Sequence, residues 1–138
     1  MREKLNNIEL GGEEFPLKCD LAVLEAIQDA GYTMTSFEMA VAGLQPTGEQ
    51  DKKGKRLYRN VDPSMKVVRM ALPLMVNEGI DIENRLECKS RPHITEADLQ
   101  ELSLGNVFQV ANVLRREFVR CFESKNPSST QEEEKSGR

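Results

Sequence analysis

The sequence contains no tryptophan, one histidine and three cysteines in 138 residues, so side chains that carry catalytic or metal chemistry are scarce. His93 would need partners to act as a metal ligand or general base, and its spacing from Cys88 matches no common zinc site. Cys19 and Cys121 complete an odd and widely separated set, which argues against a disulfide framework. No nucleophile with its base and no metal shell is recognisable. We therefore expect a protein that is not an enzyme, uses no cofactor and works by binding.

Long apolar runs and a strong excess of basic residues are also lacking. No run approaches the roughly 20 residues of a membrane span, and residues 1–4 lead into a polar stretch rather than an apolar signal core. The net charge of −4 gives no global basic footprint for binding a nucleic-acid duplex. With 38% hydrophobic residues, the chain has enough apolar side chains for a modest core. These features predict a cytoplasmic protein without a membrane partner.

Alternating apolar residues near the start predict a small β-hairpin over residues 5–18. Ile8 and Leu10 precede a Gly-Gly pair, which tolerates positive φ in a tight turn. Phe15 and Leu17 then supply a short return strand with the same alternation. One face of this hairpin is therefore apolar and needs a core to cover it.

Apolar residues at helical spacing predict about five helices after the hairpin. Asp20 is a suitable cap for the first helix, and Thr35 begins a capping-box pattern at the second. The third starts at Asp62–Pro63, is apolar nearly all round as expected of a central helix, and is predicted to end at Gly79. The expected helices cover about residues 20–30, 35–43, 62–79, 95–104 and 107–123. The predicted fold class is mainly α, with about five helices and a small N-terminal β-hairpin.

Two segments lack helical or strand periodicity. Residues 45–61 are polar and punctuated by proline and glycine, so we expect a long, exposed and flexible loop. Residues 125–138 contain Pro, Ser, Thr and Glu with almost nothing apolar, and we expect a disordered tail. The chain shows no internal repeat, and residues 1–124 are predicted to form one domain. The basic residues of the loop are Lys52, Lys53, Lys55, Arg56 and Arg59.

The basic loop supports one hypothesis about function. Its cations could contact phosphates while Tyr58 stacks on a base, and the last helix adds Arg115, Arg116 and Arg120. The net acidity and the lack of a helix-turn-helix signature argue against this, because charge runs in loops are usually just solvated. A small nucleic-acid-associated regulatory protein is therefore the alternative hypothesis.

The many apolar residues of the two longest predicted helices support a different hypothesis. An ordinary core needs such residues, but some of them could instead contact another subunit or an extended apolar client. Methionine is flexible and polarizable, so it adapts to varied partners. The candidate contact residues are Met65, Met70, Leu74, Phe108, Val119 and Phe122.

Four segments occur in an order that is similar to a known family. They are Asn7–Lys18 as an opening hairpin, Asp20–Ile27 as the helix that follows, Met70–Gly79 as a central helix, and Ile94–Leu99 before the final helices. In this order they resemble the tail assembly chaperones of long-tailed bacteriophages and prophages. The similarity covers residues 5–124 in outline.

That resemblance implies a function without catalysis. Proteins of this family bind the long tape-measure protein and keep it soluble while the tail tube assembles around it. A longer frameshifted form contacts the tail-tube subunit in many cases, and the chaperone is absent from the mature virion. The resemblance therefore implies a protein of the bacterial host cytoplasm, and self-association into a homo-oligomer would let several copies coat the client.

Overall fold

The computed structural model describes residues 5–101 and 107–123. The helices are α1 Leu21–Asp29, α2 Met34–Ala42, α3 Met65–Glu87, α4 Glu96–Glu101 and α5 Val107–Arg120. The strands are β1 Asn6–Leu10, β2 Glu13–Leu17, β3 Leu44–Gln50 and β4 Arg56–Asn60. The expected five helices and N-terminal hairpin are confirmed, but the fold is mixed α/β because a second hairpin is present. The tail predicted at 125–138 lies outside the described residues, and the single domain over 1–124 stays a prediction.

The N-terminal hairpin, formed by β1 and β2, packs its apolar face on α3. The strands are antiparallel, with Ile8 opposite Phe15, and both side chains are buried. Immediately after β2, the Lys18 N–H donates a hydrogen bond to the Met75 carbonyl of α3, with an N–O distance of 3.0 Å. The expected alternation therefore positions the hairpin, because its apolar side chains are covered by the central helix.

Helix α3 is the centre of the fold, and it is longer than predicted. Gly79 does not end it; the helix continues to Glu87, and Cys88 caps it in the left-handed conformation with φ 54°. Gly79 instead lets β2 approach, since a Cβ built there would lie 2.6 Å from both the carbonyl carbon and the carbonyl oxygen of Pro16. The glycine therefore serves a close contact between helix and strand rather than a stop signal.

The caps of two predicted helices are each shifted by two residues. Helix α2 is capped by Thr33, whose hydroxyl accepts from the Ser36 N–H while the Ser36 hydroxyl accepts from the Thr33 N–H, each at 2.9 Å. Helix α3 is capped by Ser64 rather than by Asp62. In both cases a second Ser or Thr nearby completes the hydrogen bond, and sequence spacing alone does not choose between neighbouring caps. The cap predicted at Asp20 is confirmed.

The segment predicted to be a loop is a β-hairpin, here called the arm (residues 44–60). Strands β3 and β4 pair antiparallel, with an irregular register between Pro46 and Gln50. At its tip, Asp51 Oδ1 accepts from the N–H groups of Lys53 and Lys55, each at 2.9 Å. Every residue of both strands is exposed, as expected. The expectation of an irregular loop is wrong, because the segment forms two paired strands.

Candidate partner-binding surface along helices α2 and α5

Helix α5 presents a stripe of side chains beside its buried face. It buries Val110, Ala111 and Leu114 in the core and packs against α2 and α3. Positions 108, 112, 115 and 119 recur every three or four residues, which places them along one flank of α5, and Phe122 follows in the turn after the helix. This flank borders α2, and the two helices together form the α2–α5 seam. The seam residues are Met34, Glu38, Phe108, Asn112, Arg115, Val119 and Phe122.

A buried carboxylate anchors α5 to the N-terminal hairpin. Glu117 is only 1% exposed, and its Oε2 accepts from the Cys19 N–H at 2.7 Å. Its Oε1 accepts from the Asn6 amide at 2.6 Å, and Arg120 donates to both oxygens. Arg120 also donates to the Cys19 carbonyl at 2.9 Å. The carboxylate is fully hydrogen-bonded, as a buried charge must be. It therefore fixes α5 while leaving the seam side open.

At one end of the seam, α5 and the base of the arm enclose an open groove of about 450 Å³. Phe108 contributes an aromatic ring that is 60% exposed. Leu44 at the start of the arm and Val61 directly after its end supply further exposed apolar surface. The groove is held together by the hydrogen bond from the Val61 N–H to the Gly43 carbonyl, at 2.8 Å. This end of the seam is a groove with one exposed ring and a mixed lining, because Asn60, Asn112 and Arg115 also border it.

At the other end, a second open groove of about 360 Å³ lies between the start of α2 and the end of α5. Phe122 is 57% exposed, and its ring stands edge-on to Phe118 with the centroids 5.2 Å apart. The Phe118 ring is buried and lies 4.8 Å from that of Phe37. Met34 and Val119 complete the apolar lining. The exposed Phe122 ring is thus supported from below by a packed aromatic cluster.

Arg115 lines the first of these grooves and faces Glu38, which lines the second. One of its terminal guanidinium nitrogens, Nη2, is 3.4 Å from Glu38 Oε2, and about two fifths of each side chain is exposed. Its Nε is buried without a hydrogen-bond partner within the described part of the chain. The same arginine also lines a groove of about 390 Å³ between β1 and α5, together with Arg116 and Glu123. The middle of the seam is therefore a weak pair between Arg115 and Glu38 with incomplete hydrogen bonding, and an exposed aromatic ring lies towards each end.

The structure brings together three of the six predicted contact residues. Phe108, Val119 and Phe122 all lie on the seam. Met70 and Leu74 are half-buried against the core, and neither lines either seam groove. Met65 is exposed at the start of α3, also away from both grooves.

Sequence reasoning missed Met34, Leu44 and Val61. They come to the seam from three elements distant from α5 in the chain, so only the tertiary fold reveals them. Glu117 was missed as well. A charged residue on a predicted helix is normally expected to be exposed to solvent. The position of Glu117 in the sequence gives no indication that its carboxylate is buried and hydrogen-bonded.

The predicted basic residues lie on the arm, and most are without a counter-charge. Among the residues that the structure describes, Lys52, Lys53, Lys55 and Arg56 form no ion pair. Arg59 differs, because its guanidinium donates twice to the Gln45 side-chain oxygen, at 2.8 and 3.0 Å. The tip of the arm is therefore a compact cationic feature.

The arginines predicted to extend this cationic surface on α5 are partly neutralised. Arg115 faces Glu38, and Arg120 pairs with Glu117 at 2.7 Å. Arg116 is exposed and lines the groove beside β1. The last helix therefore adds little free positive charge to that of the arm.

The side chains considered for chemistry do not converge. His93 Nε2 lies 2.7 Å from Asp81 Oδ1 on the surface. Burial raises the pKa of the Cys19 thiol, and the adjacent Cys121 raises it further, which disfavours the thiolate. Across residues 5–101 and 107–123, no three His, Cys, Asp or Glu side chains are grouped to hold a metal ion. No helix in those ranges is long and apolar enough to cross a membrane.

Comparison with models of known protein families, with characterised proteins and with solved structures finds no match for this chain.

Proposed function

We propose that this protein is a phage tail assembly chaperone that binds the tape-measure protein through the α2–α5 seam and keeps it soluble. The observation that carries this proposal is the pair of exposed aromatic rings, Phe108 and Phe122, at the two ends of a seam whose helix is anchored on its other side by Glu117. Exposed apolar surface at a preformed groove marks an interaction site in many proteins. The resemblance of residues 5–124 to these chaperones supplies the identity of the client.

A chaperone of this kind must bind the apolar helix surfaces of its client reversibly. Each Å² of apolar surface removed from water contributes about 25 cal/mol, and ordering of client and side chains offsets part of that gain. Two separate grooves with moderate apolar lining suit such a task, because each contributes a limited amount and can release independently. The proposal includes self-association into a homo-oligomer, a longer form that contacts the tail-tube subunit, and a location in the host cytoplasm rather than in the mature virion.

The test is co-expression with the tape-measure protein encoded by the same phage or prophage. The wild-type chain is expected to raise the soluble fraction of the client several-fold and to co-purify with it. Replacing both Phe108 and Phe122 by Ser is expected to abolish this, since both grooves lose their exposed ring.

Leu86→Ser is the matched control for this experiment. Leu86 is 48% exposed on α3 and lines neither seam groove. Circular dichroism and thermal unfolding of each variant establish that it is folded. A client that stays aggregated with excess wild-type chain, or full activity of the Phe108/Phe122 double variant, contradicts the proposal.

The arm supports a second candidate function, nucleic-acid binding. Its four cations without an ion pair in the described part of the chain lie on a two-stranded ribbon, a shape that the major groove of B-DNA accommodates. Tyr58 is 45% exposed beside them and could stack on a base. This candidate predicts binding to a DNA duplex whose affinity falls steeply with salt. Binding should disappear when Lys52, Lys53, Lys55 and Arg56 are all replaced by Ser. Affinity that is insensitive to both changes eliminates it.

A further inference from the structure

We propose that the client segment bound in the α2–α5 seam is an amphipathic helix that carries a carboxylate between two apolar anchors. This inference rests on the proposed function and specifies the chemistry of its client. The apolar anchors fill the two grooves, and the carboxylate pairs with Arg115 between them. The occupant is thus defined by a pattern, apolar–acidic–apolar, rather than by apolar content alone.

The spacing of the seam sets the spacing of the client. Phe108 at the start of α5 and Phe122 in the turn directly after it lie fourteen residues apart in sequence, with Arg115 midway. At a rise of 1.5 Å per residue the helical part from Phe108 to Arg120 spans about 18 Å, and the turn that follows brings the two residues about four helical turns apart. A client helix laid along the seam therefore meets one groove about two turns before Arg115 and the other about two turns after it. Helix-in-groove recognition works through anchors repeated on one face in this way.

The charge at the midpoint specifies a carboxylate. The Arg115 Nε is buried and lacks an acceptor within the described residues, and the contact of Nη2 with Glu38 is 3.4 Å, longer than the roughly 2.7–2.9 Å of a strong charge-assisted hydrogen bond. The Arg115 side chain is 42% exposed as a whole although its Nε is covered, so a partner that pairs with the Nε edge must draw the guanidinium outwards. A carboxylate has two charged oxygens, which can accept from both nitrogens of that edge. An amide has one neutral oxygen acceptor, and an ammonium group is repelled by the guanidinium.

The other charges along these grooves leave that preference in place. Glu38 lies on the α2 side of Arg115, and Glu123 lines the groove beside β1 at the end of α5. Arg116 also lines that groove, and Arg120 is held by the buried Glu117. Arg115 is therefore the cation that lines the first groove, and the weakly bonded acid opposite it, Glu38, lines the second.

The experiment measures binding of fluorescein-labelled synthetic helices to the full chain by fluorescence anisotropy. Each peptide spans about four turns, with leucines on one face about two turns to either side of a central residue. Three peptides differ only at that centre, which is Glu, Gln or Lys. The Glu peptide is expected to bind about tenfold more tightly than the Gln peptide, and the Lys peptide more weakly still.

Two chain variants then locate the effect. Arg115→Met keeps the aliphatic stem and is expected to bring the Glu and Gln peptides to within about twofold of each other. Arg116→Met removes the same charge from the next residue, which points about 100° away around α5, and is expected to leave the tenfold ratio unchanged. The comparison of peptides on the wild-type chain needs no variant, so the inference is tested even when a variant fails to fold.

The outcomes separate this inference from the proposed function. Equal affinity for the Glu and Gln peptides overturns the inference, as does an equal loss of the ratio in both arginine variants. Absence of binding by every peptide also overturns the inference. If a second copy of the chain covers the seam, light scattering will show a dimer, and that outcome overturns the inference as well. The proposed function fails separately, when the Phe108/Phe122 double variant still solubilises the tape-measure protein.

Discussion

The N-terminal hairpin and the arm are both two-stranded antiparallel ribbons with glycine in their turns, yet they have opposite surroundings. In the first, Ile8, Leu10 and Leu17 are buried, with β2 packed on α3 and β1 in contact with α5. In the second, every residue of both strands is exposed. An isolated two-stranded hairpin is marginal in water, so the first is a part of the core and the second depends on its own ladder and turn. Burial of side chains, rather than the strand ladder, distinguishes a structural hairpin from a projecting one.

The N-terminal hairpin is also clasped from outside. Arg91 donates to Glu13 Oε2 at 2.8 Å and lies 4.4 Å from the centroid of the Phe15 ring. The arm has no comparable contact among the described residues beyond its junction with α2, where the Val61 N–H meets the Gly43 carbonyl. Changes in the first hairpin should therefore alter the stability of the whole fold, and changes in the second should not.

The largest effect is expected at the contact of the N-terminal hairpin with α3. Gly79→Ala places a methyl group 2.6 Å from the Pro16 backbone, which has no flexible end that could move away. We expect a loss of about 4 kcal/mol in the free energy of unfolding, measured by urea denaturation. Gly54→Ala in the arm is the comparison, because its Cβ meets nothing within 4 Å and only its positive φ opposes alanine. A cost of about 1 kcal/mol is expected there, and equal costs would contradict the distinction between the hairpins.

A matched pair of leucine truncations gives the next largest difference. Leu10 is fully buried, so Leu10→Ala is expected to lower the free energy of unfolding by about 3 kcal/mol through lost burial and a cavity. Leu57 on the arm is 40% exposed, and Leu57→Ala is expected to change it by less than about 0.5 kcal/mol. Both values come from the same denaturation experiment. A Leu57→Ala cost that approaches the Leu10→Ala cost would show that the arm is packed against the fold.

The junction after the N-terminal hairpin gives a pH-dependent effect. A hydrogen bond shared with Asp20 raises the pKa of Glu78 from 4.5 to about 7, helped by burial and by the negative charge of Asp81. Between those values the folded state holds a proton that the unfolded state does not, so stability falls as the pH rises through this window and is level above it. Because Glu78 is only partly buried and solvent screens the pair, we expect a fall of only about 1 kcal/mol.

Glu78→Gln is expected to remove this pH dependence. Its amide can donate to Asp20 at every pH, so the variant should match the wild type well below pH 4.5 and exceed it well above pH 7. Urea denaturation at those two conditions measures the difference. Glu83→Gln removes the same charge elsewhere on α3 and is the control. A Glu83→Gln variant with the same gain would attribute the effect to net charge rather than to the pair with Asp20.

The two hairpins also differ in how far the sequence predicts them. The first is predictable because Ile8, Leu10, Phe15 and Leu17 alternate around a glycine turn. The arm has no such alternation, because a ribbon exposed on both faces has no buried side to specify. Its pairing depends on the turn at Asp51, a local hydrogen-bond pattern that polar composition does not reveal. The polar composition of the arm therefore predicts a loop, although the segment has regular structure.

The candidate site was predictable only where it lies on one helix. Phe108, Val119 and Phe122 follow from the period of α5. The opposite wall of the seam comes from α2 and from the base of the arm, which are brought there by packing. Met70 and Leu74 stay untested as contact residues, and both are partly buried against the core because the neighbours of a central helix cover much of its surface.

The smallest effect on stability is expected from removal of the arm's outer part. Replacing residues 47–57 by Asn-Gly leaves Pro46 and Tyr58, which face each other in the ladder, joined by a two-residue turn. Because all the excised residues are exposed, we expect the free energy of unfolding to change by no more than about 0.5 kcal/mol. The base of the arm with Leu44 and Val61 remains, so solubilisation of the tape-measure client should be retained while any salt-dependent DNA binding is lost. Loss of client solubilisation in a variant of unchanged stability would instead make the arm's outer part a portion of the chaperone site.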